Sequence, residues 1–170
     1  MKRKHAPASV QEVLVIGIGN PDRGDDGIGL LVVRQLAKRL PPHATIVERT
    51  GDALALIDDW AGHDAVILVD AAAPGSAPGS IHRIDLLQDE LPIDLSLSST
   101  HAFGVADAVG LARTLGLLPR YVIVYAIEGE TFEHGAPVSR KVAAALNEVV
   151  TRIADELCCL GKELAHVEEL

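Results

Sequence analysis

The chain has 170 residues, of which 48% are hydrophobic and only 3% aromatic, and its formal net charge is −9. This length supports one domain with a substantial aliphatic core. The acidic balance argues against nucleic acid or an anionic membrane surface as a partner.

The cysteines and the lengths of the apolar runs indicate the cellular compartment. Cys158 and Cys159 are adjacent, which excludes a disulfide framework and fits a reducing cytoplasm. No apolar run approaches the length of about 20 residues that a bilayer crossing needs. Residues 1–11 lack the apolar region of a secretory signal. We therefore expect a cytoplasmic protein without a membrane segment.

Strands and helices are predicted to alternate along the chain. Apolar or alternating runs predict strands at 13–18, 44–47, 64–70, 80–85 and 120–127. Helical spacing predicts helices from Asp26 or Gly27 to about Leu40 and over about 53–60, 101–115 and 139–160. The fold class is α/β: a three-layer sandwich with a twisted, mostly parallel five-stranded sheet and helices on both faces.

Three further expectations concern the edges of this arrangement. The strand at 80–85 directly follows an Ala-, Pro- and Gly-rich loop, so we expect it to be antiparallel, at or near an edge of the sheet. Residues 1–170 are expected to form a single domain, and no internal repeat is visible. Residues 1–11 and 161–170 are expected to be flexible tails.

The first loop, within VLVIGIGNPDRGDDGIG at 13–29, links a buried strand to a helix. A dinucleotide fingerprint is excluded because the third glycine of Gly-x-Gly-x-x-Gly would fall on Asp22. Asp22, Asp25 and Asp26 would also repel a pyrophosphate, so the loop suits a cation better. The alternative is that Asp25 or Asp26 merely caps the helix.

Asp26, Asp70 and His101 are the candidates for one site. Asp26 follows the first predicted strand, Asp70 ends the third, and His101 begins a predicted helix after a long connector. Ligands of open α/β sheets lie beyond the carboxyl ends of the strands, and two carboxylates with an imidazole suit a divalent metal. The alternatives are that Asp70 only accepts backbone hydrogen bonds and that His101 is a capping or surface residue.

The remaining polar residues offer weaker candidates. His134, beside glutamates in the loop after the last strand, is the other histidine placed at the same edge. No Gly-x-Ser-x-Gly elbow occurs, and the two cysteines fall late in a long helix. The hydroxyls before His101 are interpreted as helix caps, so the sequence does not support a covalent serine or cysteine mechanism. Most other histidines are interpreted as solvated: His5, His43, His63, His82 and His166.

Three motifs together resemble the hydrogenase maturation endopeptidases, which trim the C-terminus of the large subunit of nickel–iron hydrogenases. The motifs are GIGNPDRGDDGIG, VDAAAPGSAPGSIHRID and SSTHAFGVADAV, and they occur in the order and approximate spacing of that family. The resemblance spans about Val13 to Leu160 and implies the same α/β sandwich.

The resemblance also implies the site and its chemistry. The metal-binding and catalytic trio of the family maps onto Asp26, Asp70 and His101, with Asp25 as the neighbouring alternative for the first ligand. It implies a metal-dependent, aspartic-type processing endopeptidase whose partner is a hydrogenase large-subunit precursor. Nickel is carried by that substrate and serves as its recognition element, and the peptide bond is cut after a basic residue.

One departure from the family pattern concerns the choice of substrate. Many members carry Asp-Gly-Gly-Thr after the second strand, where this chain reads Glu48-Arg49-Thr50-Gly51-Asp52. Two other functions stay open: a different hydrolase or phosphorylase on a similar scaffold, and a nickel-recognition chaperone that binds the precursor without cutting it. A monomer is expected.

Overall fold

The computed structural model describes residues 13–75, 77–89 and 104–167. The predictions made for residues 1–11 and for His101 lie outside these ranges. Within them, no helix combines the length and the apolar character that a bilayer crossing requires.

Five strands and four α-helices form the described structure. The strands are β1 (Val13–Ile18), β2 (Ala44–Arg49), β3 (Ala65–Ala72), β4 (Ile81–Asp85) and β5 (Tyr121–Glu128). The helices are α1 (Ile28–Leu36), α2 (Ala53–Trp60), α3 (Val105–Leu115) and α4 (Arg140–Val167), and short 3-10 helices at Gly24–Gly27 and Ala37–Arg39 flank α1.

The sheet confirms the predicted fold class. Its strand order is β2-β1-β3-β5-β4, and all neighbouring pairs are parallel except β4 with β5. The predicted antiparallel edge strand is therefore confirmed as β4. The interior strands β1 and β3 are buried along their whole length, as continuous apolar runs in a covered parallel sheet should be.

Helices cover both faces of the sheet and divide the core in two. On one face, α1 and α4 pack against alternate residues of the strands, such as Val15 and Ile67. On the other face, α2 and α3 pack against the intervening residues, such as Ile16 and Leu68. The period-2 alternation of a strand thus assigns each residue of the sheet to one of the two layers.

Several element boundaries differ from the sequence prediction; the strand predicted at 44–47, for example, runs to Arg49. Instead of one helix to about Leu40, α1 ends at Leu36 and continues as a 3-10 turn. Strand β3 runs past Asp70 to Ala72, because β5 pairs with it along its full length. Residues 161–167, expected as part of a flexible tail, are helical, since Leu164 extends the buried stripe of α4 and is 2% exposed.

Candidate functional site

The topology places the loop after β1 and the end of β3 at one point of the sheet. From β1 the chain crosses through α1 to β2 on one side, and from β2 it crosses through α2 to β3 on the other side. The neighbours β1 and β3 therefore form a topological switch point, where open α/β sheets leave a crevice for ligands. Asp26 lies in the loop after β1, and Asp70 lies near the carboxyl end of β3.

Asp70 is a buried carboxylate that lacks a full set of hydrogen bonds. It is 1% exposed, and the Ala71 N–H donates to its Oδ1 at 2.8 Å. Its Oδ2 is also buried and has no hydrogen-bond partner among the described residues. Burial raises the pKa of Asp70 well above its ordinary value, and the charge of Asp26 raises it further, which outweighs the opposite effect of the Ala71 N–H.

Asp26 is the carboxylate that acts on Asp70. It is 3% exposed, and its Oδ2 lies 3.5 Å from Nη1 of Arg23. The backbone around it is packed tightly, since a Cβ placed on Gly19 (φ 146°) would lie 1.8 Å from the carbonyl oxygen of Asp26. Only glycine fits this close approach, which explains why the apolar strand ends in a Gly-x-Gly turn.

Asp25 has a different role from its neighbour. Its side chain is fully buried and accepts three backbone hydrogen bonds, from Glu130 and Thr131 to Oδ2 (2.7 and 3.0 Å) and from Ser139 to Oδ1 (2.6 Å). The carboxylate thus joins the first loop to the loop after β5 and to the N-terminus of α4.

The capping interpretation of Asp25 and Asp26 is wrong for their own helix. No side chain caps the 3-10 turn at Gly24–Gly27 or the helix α1 that follows it. Asp25 instead serves the distant helix α4, so Asp26 is the residue of the pair that is left to act beside Asp70.

The arrangement of Asp26 and Asp70 fits a divalent cation. Burying two carboxylates that repel each other is energetically unfavourable unless a positive charge compensates them. One of their four oxygens, Oδ2 of Asp70, has no hydrogen-bond partner in the described structure. Carboxylates with imidazole are suitable ligands for a divalent transition metal. Across the described ranges, no three His, Cys, Asp or Glu side chains come together in this way. The third ligand predicted, His101, would have to complete the site.

The other candidates from the sequence do not join this site. His134 is exposed, and Glu130 forms an ion pair with Lys141 at 2.9 Å. Cys158 and Cys159 are free thiols and are exposed on α4. The interpretation of His82 as a solvated residue was incomplete, because its Nε2–H donates to Oε1 of Glu128 at 2.8 Å. The pairing of β4 with β5 brings these two residues together, and no local motif signals it.

Comparison with known proteins identifies the family. A family model described as HycI, hydrogenase maturation protease, matches residues 30–156, a range that contains Asp70 and His101 and begins just after Asp26. The chain is 27% identical to the hydrogenase 2 maturation protease of Escherichia coli K12 over 155 residues. This match covers 89% of this chain and 93% of that relative. The chain is 26% identical over 159 residues to the hydrogenase expression/formation protein HupD of Rhodobacter capsulatus, covering 91% and 75%.

Solved structures agree with this assignment. The hydrogenase maturating endopeptidase HybD from Escherichia coli superposes with a TM-score of 0.73 and 25% identity, covering 88% of this chain and 94% of that one. The [NiFe] hydrogenase maturation protease HybD from Thermococcus kodakarensis shares the fold, with a TM-score of 0.69, 23% identity and coverage of 86% and 98%. Because the family model matches about three quarters of the chain, this protein belongs to the hydrogenase maturation protease family.

Proposed function

We propose that this protease removes the C-terminal peptide of a nickel–iron hydrogenase large-subunit precursor and recognises the nickel already inserted in that substrate. Asp26, Asp70 and His101 are the residues proposed to meet the metal. The observation that supports this proposal best is the buried, incompletely hydrogen-bonded carboxylate of Asp70 beside Asp26 at the switch point.

The geometry suits a metal that arrives with the substrate. Asp70 has little access to solvent, and its charge is disfavoured by burial and by Asp26. A divalent cation would reverse this balance, because it favours the ionised form of both carboxylates and satisfies the free Oδ2. A cation held there acts as a Lewis acid toward a carbonyl oxygen or lowers the pKa of a water, and either effect serves peptide hydrolysis.

The test uses a purified large-subunit precursor in nickel-loaded and nickel-free forms. Each form is incubated with the protein, and the products are weighed by mass spectrometry. We expect loss of a C-terminal peptide from the nickel-loaded form alone. Equal cleavage of both forms would refute nickel as the recognition element. Binding of the precursor without cleavage would favour the chaperone function instead.

Variants connect the activity to the site. Asp26→Asn, Asp70→Asn and His101→Ala should each reduce cleavage by at least about 100-fold, because each removes a proposed metal ligand. Asp22→Asn is the matched control, since Asp22 is an exposed carboxylate in the same loop. If the three site variants cleave as fast as this control, the site assignment is wrong.

A further inference from the structure

Exposed leucines are concentrated on the side of the molecule that α2 and α3 cover. Within the described ranges, the large hydrophobic side chains that remain exposed are Leu54, Leu87, Leu111, Leu115 and Leu117. One of them belongs to α2, two belong to α3 and one follows α3, whereas none lies on the described parts of α1 or α4. Such a clustered apolar surface indicates a contact site for another protein.

Leu54 and Leu111 line one groove between the N-terminal halves of α2 and α3. The groove has a volume of about 420 Å³, and its other described lining residues are Asp52, Ala53 and Asp107. The two leucines are 65% and 39% exposed, so the described part of the chain leaves both accessible to a partner. A Cβ placed on Gly110, next to Leu111, would meet no atom within 4 Å, which leaves this part of α3 open as well.

The described charged side chains of the groove are both acidic. Oδ1 of Asp52 accepts a hydrogen bond from the Ala55 N–H at 2.9 Å, and Oδ2 of Asp107 accepts one from the Gly104 N–H at 3.0 Å. Each carboxylate is thus oriented by the start of its helix, and its second oxygen is available for a further donor. An apolar groove between two oriented carboxylates complements a segment that carries an apolar and a basic side chain.

The groove lies toward the same edge of the sheet as the candidate site. Helix α2 follows the carboxyl end of β2. Helix α3 ends near the opposite edge, because the N–H of Tyr121, which begins β5, donates to the carbonyl of Asp64, just before β3, at 3.0 Å. The 11 residues of α3 span roughly 16 Å, so the helix begins toward the carboxyl edge, where Asp26 and Asp70 lie.

Two contacts fix the groove relative to the site. The Gly19 N–H, in the turn that leads to Asp26, donates to the Arg49 carbonyl at 3.0 Å. Arg49 lies three residues before Asp52, and its Nε contacts Oδ2 of Asp59 on α2 at 2.6 Å. The end of β2 is therefore joined both to the loop of the site and to α2, so a chain held in the groove has a defined position relative to Asp26.

We propose that this groove binds a segment of the hydrogenase large-subunit precursor close to the bond that is cut; this inference rests on the proposed function. An apolar side chain of that segment packs between Leu54 and Leu111. A basic side chain of the same segment pairs with Asp52 and Asp107. The groove thereby determines which precursor is bound, and the contacts it makes are the same before and during the reaction.

The first experiment compares Leu54→Ala and Leu111→Ala with wild type on the nickel-loaded precursor. We expect KM to rise by about tenfold in each variant with kcat unchanged, because contacts made equally in the ground state and the transition state affect binding alone. Kd, measured by biolayer interferometry in an Asp70→Asn background that keeps the precursor intact, should rise by the same factor.

Leu87→Ala is the matched control for the leucine variants. Leu87 is also exposed, but it follows β4, whose end pairs with the start of β5 at the opposite edge of the sheet. This variant should keep the KM and Kd of wild type.

The second experiment tests the charge of the partner. The double variant Asp52→Asn/Asp107→Asn should raise Kd by about tenfold at low ionic strength and by much less in about 0.5 M NaCl, because salt screens exposed charges. Asparagine is as good an N-cap as aspartate, so α2 keeps its cap. The control Asp64→Asn/Asp89→Asn removes the same net charge at exposed positions of the opposite edge and should bind as wild type does. An equal weakening by both double variants would show that net charge alone attracts the precursor, and it would overturn the inference.

The outcomes separate this inference from the proposed function. Cleavage by wild type together with leucine variants that bind as tightly as Leu87→Ala would overturn the inference alone. A lower melting temperature of Leu54→Ala with unchanged Kd would assign the groove to another part of this chain. A wild-type dimer that Leu54→Ala converts to a monomer would assign it to a second copy, and either result would overturn the inference. Binding without cleavage by wild type would refute the proposed function, while the Kd series would still decide whether the groove holds the precursor.

Discussion

The Ser139 N–H donates a hydrogen bond of 2.6 Å to Oδ1 of Asp25, across a sequence separation of 114 residues. This bond fastens the start of the long helix α4 to the loop that follows β1. The residue after Asp25, Asp26, interacts instead with Asp70, because its negative charge raises the pKa of Asp70. One short 3-10 turn thus holds an anchoring carboxylate and a site carboxylate side by side.

Replacement of Asp25 should destabilise the whole fold. Asp25→Asn puts an N–H₂ group where backbone donors now meet an oxygen, and hydrogen bonds to a charged group contribute about 1.5–3 kcal/mol each. We expect the free energy of unfolding to fall by about 2–4 kcal/mol, measured by urea denaturation. Asp22→Asn, in the same loop but exposed, should change it by less than about 0.5 kcal/mol. Equal effects of the two substitutions would contradict the anchoring role.

Asp70 should make the metal-free protein less stable as the pH rises. The pKa of Asp70 is higher in the folded state than in the unfolded state. The contribution of protonated Asp70 to folding stability is therefore fully present below the ordinary Asp pKa, and it is lost as the pH rises through the raised pKa. The melting temperature of Asp70→Asn, relative to that of wild type, should therefore increase between about pH 4 and about pH 7. A difference that stays constant over this range would show that Asp70 titrates normally.

A divalent cation should have the opposite effect on the same two proteins. Binding to the folded state alone raises the melting temperature, by an amount that grows with the cation concentration. We expect Ni²⁺ to stabilise wild type at neutral pH and to have little effect on Asp70→Asn, with differential scanning fluorimetry as the measurement. Chelation should return wild type to its metal-free melting temperature. Equal stabilisation of both proteins would place the cation elsewhere.

Gly19 should not tolerate a side chain. In Gly19→Ala the new Cβ would lie 1.8 Å from the carbonyl oxygen of Asp26, so the loop that carries Asp26 must move. We expect loss of precursor cleavage together with a lower melting temperature. Gly62→Ala is the matched control, because Gly62 also has a positive φ (86°) but no atom within 4 Å of the added Cβ. It should cost about 1 kcal/mol of stability and keep full activity.

The ion pair between Arg83 and Glu156 should stabilise the protein mainly above acidic pH. Burial alone would raise the pKa of Glu156, but the hydrogen bonds from Arg83 and Tyr125 outweigh it, and the net pKa is lowered. A lowered carboxylate pKa contributes stability above the ordinary value, and this stability is lost as the pH falls through the lowered one.

The variant Glu156→Gln measures this contribution. At neutral pH it should melt at a lower temperature than wild type, and the difference should shrink as the pH falls from about 6 to about 3. A difference that does not depend on pH would show that packing, and not the charge of Glu156, joins α4 to the sheet here.

The fold class followed from local patterns, because periodicity reports burial directly. The run at 65–69 predicted a fully buried strand, and the short Ala-, Pro- and Gly-rich link before Ile81 predicted an antiparallel neighbour at the edge. Asp52, just after a glycine, marked the start of α2, where its side chain accepts a hydrogen bond from Ala55 at 2.9 Å. Such signals depend only on residues a few positions apart, so they can be recognised from the sequence alone.

The roles of individual carboxylates depended on distant segments. Asp25 and Asp26 are equivalent as a sequence pair, and the loop after β5, more than 100 residues away, gives Asp25 its three donors. Strand β3 passes beyond Asp70 because β5 pairs with it that far. His82 gained a partner in Glu128 only through the antiparallel pairing of two strands.

Composition, spacing and motif order were thus enough to establish an α/β sandwich, the family and the carboxylates Asp26 and Asp70 as candidates. Tertiary structure was needed to decide which of two adjacent aspartates anchors the fold, how strongly Asp70 is buried and that His82 meets the carboxylate of Glu128. The physical reason is the sequence distance over which each property is determined. Hydrophobic periodicity is a property of a single helix or strand, so it can be recognised from neighbouring residues. The burial and hydrogen bonding of a charged group depend on segments that are distant in sequence and that the fold brings into contact with it.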